Sequence, residues 1–332
     1  MRLILQIIMV SLVPIFPVNG EDYTFALVPK YHSAFFDQSG EGCLFAASQL
    51  NNVHCIYRGP TAGDVRIQDK IISQFVDQGV DGIAVAVSNS EFIARSSIQK
   101  AIAAGIPIVT FDADFNLSTK KKYNDLSLAY IGTDNAALGH ALGEALQSLR
   151  PEGGKLLIQT GRPDSANLNL RIMGLRSALS GVNYQTPPGE LLDNKMGWSE
   201  IRTPIPSYDK TARAIKQLES TSLAKPSKIN AFVSVGGWAQ NDQYNYRRIV
   251  SPLADDIKSN KFVLLFANSS QQQLSILEDH LASVNIGQNP YEMGRLAINT
   301  LYKIVTQQPY EKVIYTPLTY CTSENVLNCT TP

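Results

Sequence analysis

The segment IQKAIAAGIPIVTFDAD, residues 98–114, carries the pattern that decides the fold. Ile98, Ala101 and Ile102 share one face of a predicted helix that ends at Gly105, and an apolar strand over residues 106–111 follows directly. A helix that leads at once into a fully apolar strand is typical of parallel sheets, because helices cover both faces of such sheets. The segment therefore predicts an α/β protein.

The same alternation of helix and strand continues along the chain in both directions. We predict strands over residues 23–28, 53–57, 82–87, 155–160 and 261–267, and helices over residues 35–51, 67–78, 138–149 and 171–179. Strands that follow helices at this spacing pair in parallel through right-handed crossovers. The 332 residues exceed one ordinary domain and fit two open sheets, although no flexible linker marks a boundary between them.

Residues 1–20 have the composition of a signal peptide. Met1-Arg2 precedes an apolar run over residues 3–18, and Val18-Asn19-Gly20 provides small residues for a signal peptidase. The run contains two prolines and falls short of the roughly 20 residues that span a bilayer, so a membrane anchor is the second alternative. We predict cleavage near Gly20 and export.

The four cysteines form two pairs that are close in sequence, Cys43 with Cys55 and Cys321 with Cys329. Export to an oxidising compartment favours disulfides over free thiols. Three connectivities are possible, and we favour the local pairing because no C-x-x-C spacing typical of zinc sites is present.

Charge and motifs exclude several classes of function. Lysine plus arginine and aspartate plus glutamate both number 29, and no basic stripe occurs, which excludes nucleic acid as a partner. The four histidines are scattered, and neither catalytic nor phosphate-binding motifs are present, so we predict no enzyme, metal or cofactor. A glycosidase that uses Asp112 and Asp114 is a remote alternative, since residues two apart on a strand end point the same way.

In open parallel sheets, ligands bind beyond the carboxyl ends of the strands. The segments predicted to lie there are rich in aromatic, carboxylate and amide side chains, and they cover residues 31–36, 88–89, 112–114, 161–169, 195–198, 236–238 and 268–271. Such a lining predicts a site for a small polar ligand.

Over almost all of the predicted mature chain, the sequence resembles the ribose-type family of periplasmic sugar-binding proteins, which have the type I solute-binding fold and feed ABC importers. The resemblance rests on motifs in the same order and spacing: Phe35-Phe36, residues 105–112, Ile131-Gly132-Thr133-Asp134-Asn135, Gly153-Gly154-Lys155, Arg171 three residues before Gly174, and residues 286–294.

The resemblance implies two Rossmann-like lobes joined by a three-segment hinge near Thr133, Gln288 and Tyr315. The first lobe would comprise residues 21–133 plus 289–314, and the second lobe residues 134–288 plus 315–332. It further implies a periplasmic monomer that binds a sugar or polyol and delivers it to the membrane permease of an ABC importer. Docking on a membrane sensor, a chemoreceptor or histidine kinase, is the alternative.

The resemblance also implies roles for individual residues. Phe35 and Phe36 would clamp the sugar ring, and the carboxylate of Asp112 would accept hydrogen bonds from two adjacent hydroxyls. Arg171 would grip ring or hydroxyl oxygens from the second lobe. The complete predicted ligand-binding set is Phe35, Phe36, Asp112, Asp114, Arg171, Trp198, Gly236, Trp238, Asn268 and Gln288.

Several positions depart from the family pattern, and they argue against ribose itself. Gly236 stands where the family has an asparagine, and Ala267, next to Asn268, stands where it has an aspartate. Gly236-Gly237-Trp238 indicates that a backbone turn and an indole fill space that hydrogen-bonding side chains fill elsewhere. The pocket would then suit a larger ligand, a less hydroxylated one, or a cation that pairs with Asp112 and Asp114.

Overall fold

The computed structural model describes residues 22–222 and 229–329, so the predicted signal peptide lies outside the described residues. Strands and helices alternate along this part of the chain. The strands are β1 Tyr23–Val28, β2 Val53–Tyr57, β3 Gly82–Val85, β4 Ile108–Phe111, β5 Ala129–Gly132, β6 Gly154–Thr160, β7 Trp198–Glu200, β8 Ile205–Pro206, β9 Ala231–Ser234, β10 Val263–Ala267, β11 Val284–Gly287, β12 Val313–Tyr315 and β13 Thr319–Cys321. The α-helices are α1 Ala34–Gln49, α2 Val65–Gln78, α3 Ser90–Ile93, α4 Gln99–Ala103, α5 Leu117–Lys122, α6 Asn135–Leu149, α7 Ala166–Ser180, α8 Thr211–Ser222, α9 Gln243–Val250, α10 Ala254–Lys258, α11 Gln271–Glu278 and α12 Pro290–Val305.

The strands form two open sheets. The first has the order β12-β5-β4-β3-β1-β2, and all of its neighbours pair in parallel. The second has the order β13-β11-β10-β9-β6-β7, with β8 also paired to β6, and its strands are parallel except for β13, which runs antiparallel to β11. The predicted α/β architecture with two mostly parallel sheets is confirmed.

The chain passes between the two sheets three times. The first passage leads from β5 into α6, the second from β11 into α12, and the third from β12 into β13. Tyr315 still belongs to β12 in the first sheet, so the third passage comes after it. We refer to the first sheet with α1 to α5 and α12 as the first lobe, and to the second sheet with α6 to α11 as the second lobe.

Each lobe has its own core. The inner strands of both sheets are almost entirely buried, as expected for parallel sheets that are covered on both faces, whereas the edge strands β2 and β12 are more exposed. Side-chain caps fix where the helices begin: Ser33 accepts from the backbone N–H of Phe36, and Asp64 caps α2 in the same way. Helix α2 ends at Gly79, whose φ of 68° gives the left-handed conformation that glycine favours.

Both predicted disulfides are present with the local pairing. Cys43 in α1 is bonded to Cys55 in β2, and Cys321 in β13 is bonded to Cys329. The first bond ties a helix to the edge strand of the first sheet, and the second ties the C-terminal segment to the edge strand of the second sheet. Across the two described ranges, no helix is long and apolar enough to cross a membrane.

Candidate functional site

The carboxyl ends of both sheets face a cleft between the lobes, with a cavity of about 310 Å³. This volume is at the lower end of the range of small-molecule sites and suits a ligand of a few carbon atoms. The first lobe contributes Lys30, Tyr31, Ser33, Ala34, Phe35, Phe36, Gln38 and Asp112; the second contributes Ser165, Asn167, Leu168, Arg171, Asp209, Gly236, Gly237, Trp238, Asn241, Asn268, Ser269, Ser270, Gln272 and Gln273; Gln288 and Pro290 come from the second passage.

An aromatic cluster forms the wall of the cleft in the first lobe. The ring of Phe36 is buried and lies edge-on to Phe35, with the ring centroids 5.1 Å apart, and to Tyr31 at 5.5 Å. Because α1 begins directly after the loop that follows β1, its first turn places these rings at the carboxyl edge of the sheet. Aromatic faces in such a position suit the C–H face of a sugar ring.

Lys30 and Asp112 form a buried ion pair at the floor of the first lobe. Lys30 Nζ lies 3.0 Å from Asp112 Oδ2, and the side chains are 10% and 6% exposed. Lys30 Nζ also donates to Asn167 Oδ1 of the second lobe at 3.3 Å. Within residues 22–222 and 229–329, Asp112 Oδ1 has no protein partner, so it can accept hydrogen bonds from a ligand.

Arg171 is buried in the second turn of α7 and reaches towards the hinge. Its Nε donates to Asn135 Oδ1 at 2.8 Å, its Nη1 to the Val235 carbonyl at 2.9 Å, and its Nη2 to Gln288 Oε1 at 2.7 Å. Burial lowers the pKa of the guanidinium, and the negative charge of Asp112 opposes this shift. The guanidinium therefore both lines the cleft and fixes the amide of Gln288.

Gln288 connects the hinge to the cleft. Its Oε1 also accepts a hydrogen bond from Thr133 Oγ1 at 2.8 Å, which links the first and second passages between the lobes. Its Nε2 donates to Asn268 Oδ1. Asn268 Nδ2 has no protein partner among the described residues and remains a donor for a ligand.

Asp209 of the second lobe and Tyr31 of the first lobe both line the cleft and are close enough for their charges to interact. Burial raises the pKa of the Asp209 carboxyl above its ordinary value, while the positive charges of Lys30 and Arg162 and a hydrogen bond from Trp238 oppose the shift. Burial also raises the pKa of Tyr31, and the charge of Asp209 adds to the increase. The two lobes thus come close together at this point.

Trp238 covers the second-lobe side of the cleft. Gly236 allows this arrangement, because a Cβ atom at that position would lie 2.5–2.7 Å from the atoms of the indole ring. The indole is 8% exposed and lines the cavity together with Gly236 and Gly237. This geometry agrees with the expectation from the sequence that a backbone turn and an indole fill part of the pocket.

The structure brings together eight of the ten residues in the predicted set. Those that line the cleft are Phe35, Phe36, Asp112, Arg171, Gly236, Trp238, Asn268 and Gln288. Their contact with a ligand stays a prediction, because their position shows only that a ligand in the cleft would meet them.

Trp198 lies outside the cleft, contrary to the sequence-based expectation. It is the first residue of β7 and pairs with Gly154 at the beginning of β6, so it lies at the amino edge of the sheet rather than the carboxyl edge. Its side chain is 0% exposed in the core of the second lobe. The sequence-based interpretation took residues 195–198 for a strand end, whereas a strand begins there.

Asp114 also lies outside the cleft. Its Oδ1 accepts from Thr110 Oγ1 at 3.0 Å and from the Phe115 backbone N–H at 2.8 Å, and its Oδ2 pairs with Lys120. The carboxylate therefore caps the turn after β4. Asp112 and Asp114 do not share one site, which removes the pair on which a glycosidase would depend.

Sequence analysis placed Asn167 within the strand-end segment 161–169 without assigning it a role, and it missed Lys30 and Asp209. Lys30 was not singled out because a lysine after a strand is a common feature of protein surfaces. Asp209 follows the two-residue strand β8, which is too short to produce a recognisable pattern. A charged residue two positions after the end of β1 was the signal that could have identified Lys30. Among the described residues, no group of three potential metal ligands is present.

Comparison with known proteins agrees with this architecture. The periplasmic binding protein domain family matches residues 25–309. The chain is a member of this family. A xylose/arabinose-binding protein of Sulfolobus acidocaldarius is 29% identical over 132 residues, which make up 38% of this chain and 33% of that protein. The match thus spans about a third of the length of that relative.

Solved structures of binding proteins share the fold. An ABC transporter solute-binding protein from Burkholderia graminis in complex with D-arabinose superposes with a TM-score of 0.79 at 24% identity, covering 94% of this chain and 99% of the other. A solute-binding protein from Agrobacterium vitis with bound D-fucose superposes with a TM-score of 0.78 at 20% identity, covering 91% and 96% of the two chains. At these identities the likeness establishes the fold.

Proposed function

We propose that this protein is an exported solute-binding protein that captures a neutral sugar or polyol between its two lobes and carries out no chemistry on it. The observation that supports this proposal most strongly is the composition of the cleft. It combines aromatic rings from both lobes with polar atoms that have no protein partner among the described residues, Asp112 Oδ1 and Asn268 Nδ2. Aromatic faces next to isolated donors and acceptors match the alternating C–H and hydroxyl groups of a sugar ring.

The charges in the cleft favour a neutral ligand over a charged one. Two cations, Lys30 and Arg171, and two carboxylates, Asp112 and Asp209, line the cavity. Lys30 already pairs with Asp112 at 3.0 Å, and Asp114 pairs with Lys120 outside the cleft. A cationic ligand that pairs with Asp112 and Asp114 is therefore disfavoured. The relatives described above bind arabinose, xylose or fucose, which are neutral sugars.

The mechanism that we propose is closure of the lobes around the ligand. The first lobe and the second lobe would move as two bodies about the three passages, with Tyr315 in the first. A ligand that contacts Asp112 in one lobe and Trp238 in the other makes its full set of contacts only in the closed form. Its differential affinity then shifts the population towards that form.

The closed form would in turn be read by a membrane partner. We propose that this partner is the permease of an ABC importer and that the protein acts as a monomer. A membrane sensor would recognise the same closed form. Binding to the purified ectodomain of a sensor, without stimulation of a permease, would identify the sensor as the partner.

A thermal-shift screen of the chain from Glu21 onward tests the proposed function. The panel consists of neutral monosaccharides and sugar alcohols, with sugar acids and amino sugars as charged controls. A ligand at about 100 times its dissociation constant stabilises the folded state by about 2.7 kcal/mol, which is a measurable increase in melting temperature. We expect at least one neutral compound of the panel to raise the melting temperature of the protein. An increase with charged compounds alone would contradict the proposal.

A further inference from the structure

A hydrogen bond joins the two lobes at a point that the ligand cavity does not include. Asn89 of the first lobe donates through Nδ2 to Asp164 Oδ2 of the second lobe at 2.5 Å. Neither residue lines the cavity. Outside the hinge, the other direct contact between the lobes described above, Lys30 with Asn167, involves residues that do line it.

Each partner in this bond is held in place by its own lobe. Asn89 is the N-cap of α3, and its Oδ1 accepts from the backbone N–H of Phe92 at 2.9 Å, which turns Nδ2 towards the second lobe. The Arg162 fork donates to both carboxylate oxygens of Asp164, at 3.1 and 3.0 Å. Neither side chain has to be immobilised when the lobes meet, so little conformational entropy opposes the contact.

We propose that Asn89 and Asp164 form a latch that holds the lobes together without touching the ligand, and that they act as positioning residues for binding. The latch favours the closed form in the absence of ligand, so it raises affinity for every ligand by the same factor and leaves the order of preference among ligands unchanged. Its effect on affinity rests on the proposed function, namely the capture of a sugar or polyol. Its effect on the contact between the lobes can be measured without a ligand.

Two substitutions remove the latch and keep the helix cap. Asn89→Ser retains a good N-cap residue but is too short to reach Asp164. Asn89→Asp also retains the cap and places a second carboxylate opposite Asp164, so repulsion replaces attraction. In the double variant Asn89→Asp with Asp164→Asn, donor and acceptor are exchanged, and the bond between the lobes can form again.

The tryptophans provide a measurement of lobe closure that needs no ligand. The chain has two, and Trp198 is fully buried in the core, whereas Trp238 is 8% exposed in the cleft. Opening of the lobes exposes Trp238, so quenching of fluorescence by acrylamide, an uncharged quencher, increases. We expect stronger quenching in Asn89→Ser, the strongest in Asn89→Asp, and a return towards wild type in the double variant.

Asn116→Ser is the matched control. Asn116 is the N-cap of α5 in the same lobe, and its Oδ1 accepts from the Thr119 backbone N–H at 2.8 Å. The same substitution is made there at a cap whose side chain makes no hydrogen bond to the described part of the second lobe, so quenching should remain at the wild-type value. Equal quenching in wild type, Asn89→Ser and Asn89→Asp would overturn the latch, as would stronger quenching that the double variant fails to reverse.

Calorimetric titration with D-arabinose as the probe measures the consequence for binding. Loss of one hydrogen bond that is exposed to solvent predicts a dissociation constant about threefold to tenfold higher in Asn89→Ser. An unchanged constant would overturn the latch as a determinant of affinity. Failure of wild type to bind D-arabinose would exclude that sugar as the ligand, and the quenching series would still decide whether the latch exists.

Discussion

At the scale of single residues, Asp112 combines an ion pair to Lys30, an unpartnered carboxylate oxygen and a left-handed backbone with φ of 56°. Asparagine tolerates this backbone conformation as well as aspartate does. Asp112→Asn should therefore keep the backbone conformation, lose some stability because Lys30 loses its charged partner, and weaken binding by about 1–3 kcal/mol. Binding weakens because the oxygen that accepts from ligand hydroxyls loses its charge or is replaced by a donor. Titration calorimetry measures the change.

Asp114→Asn is the matched control for this prediction. It makes the same chemical change two residues away, at a carboxylate that caps a turn outside the cleft. Its affinity should equal that of wild type. Equal losses of affinity in the two variants would remove Asp112 from the binding site.

The two tryptophans make a second comparison at this scale. Trp198→Phe leaves a cavity in a fully buried core, so it should lower the free energy of unfolding by about 1–3 kcal/mol and leave affinity unchanged. Trp238→Phe should weaken ligand binding severalfold with a smaller effect on stability. Urea unfolding and titration separate the two effects, and weaker binding in Trp198→Phe would contradict its placement in the core.

Sequence analysis located most of the residues that line the cleft, because strand ends can be recognised from apolar runs. Phe35, Phe36 and Asp112 each follow such a run closely. The sequence failed at Trp198 because an aromatic residue flanked by glycine and serine does not reveal whether a strand begins or ends there. Lys30 could not be assigned a partner, since its contacts with Asp112 and Asn167 depend on the fold of both lobes.

At the scale of elements, the apolar strands and capped helices were predictable, and the short edge strands were not. Strands β7 and β8 have three and two residues, too few for a periodic pattern. Their position is set by tertiary contacts instead. Arg176 of α7 donates to both oxygens of Glu200 in β7 at 2.7 and 2.8 Å, and its Nη1 donates to the carbonyls of Pro188 and Gly189.

This buried pair predicts how the segment between α7 and β7 responds to mutation. The side chains of Arg176 and Glu200 are 2% and 0% exposed, so Arg176→Met leaves an unpaired buried carboxylate and should lower the free energy of unfolding by about 3–5 kcal/mol. The double variant Arg176→Met with Glu200→Leu should recover much of that loss. Chemical unfolding tests both, and a single variant as stable as wild type would contradict the role of the pair.

At the scale of the whole molecule, the sequence predicted two sheets and their crossovers, but not the contacts by which the lobes meet. Those contacts join residues far apart in sequence, such as Lys30 with Asn167 and Asn89 with Asp164. Each of these residues is polar and belongs to a loop or a helix start, where polar residues are usual. Only the relative placement of the lobes gives them a common function.

On the proposed closure mechanism, Asp209 should make lobe closure depend on pH. Burial raises its pKa in this structure, and this outweighs the opposing charges of Lys30 and Arg162, while the charge of Asp112 adds to the increase. An open form would expose the carboxyl to water and restore its ordinary pKa. The closed form is then favoured below the ordinary pKa of aspartate, and this preference is lost as pH rises through the raised pKa.

Affinity for the ligand should accordingly become tighter as pH falls from neutral towards the ordinary pKa of aspartate. Asp209→Asn keeps the left-handed backbone, whose φ is 59°, and should flatten this dependence. Titrations of both proteins across this pH range provide the measurement. A slope of opposite sign, or the same slope in Asp209→Asn, would show that another group controls closure.

Equilibrium titration of the purified protein with neutral monosaccharides and polyols, followed by recovery and analysis of the ligand, tests the central claim most directly. We predict saturable binding of at least one neutral member at one site per chain, with a negative heat-capacity change from burial in the cleft and a chemically unaltered ligand afterwards. Binding confined to charged members, or a ligand recovered in altered form, would contradict a non-enzymatic binding protein for neutral sugars.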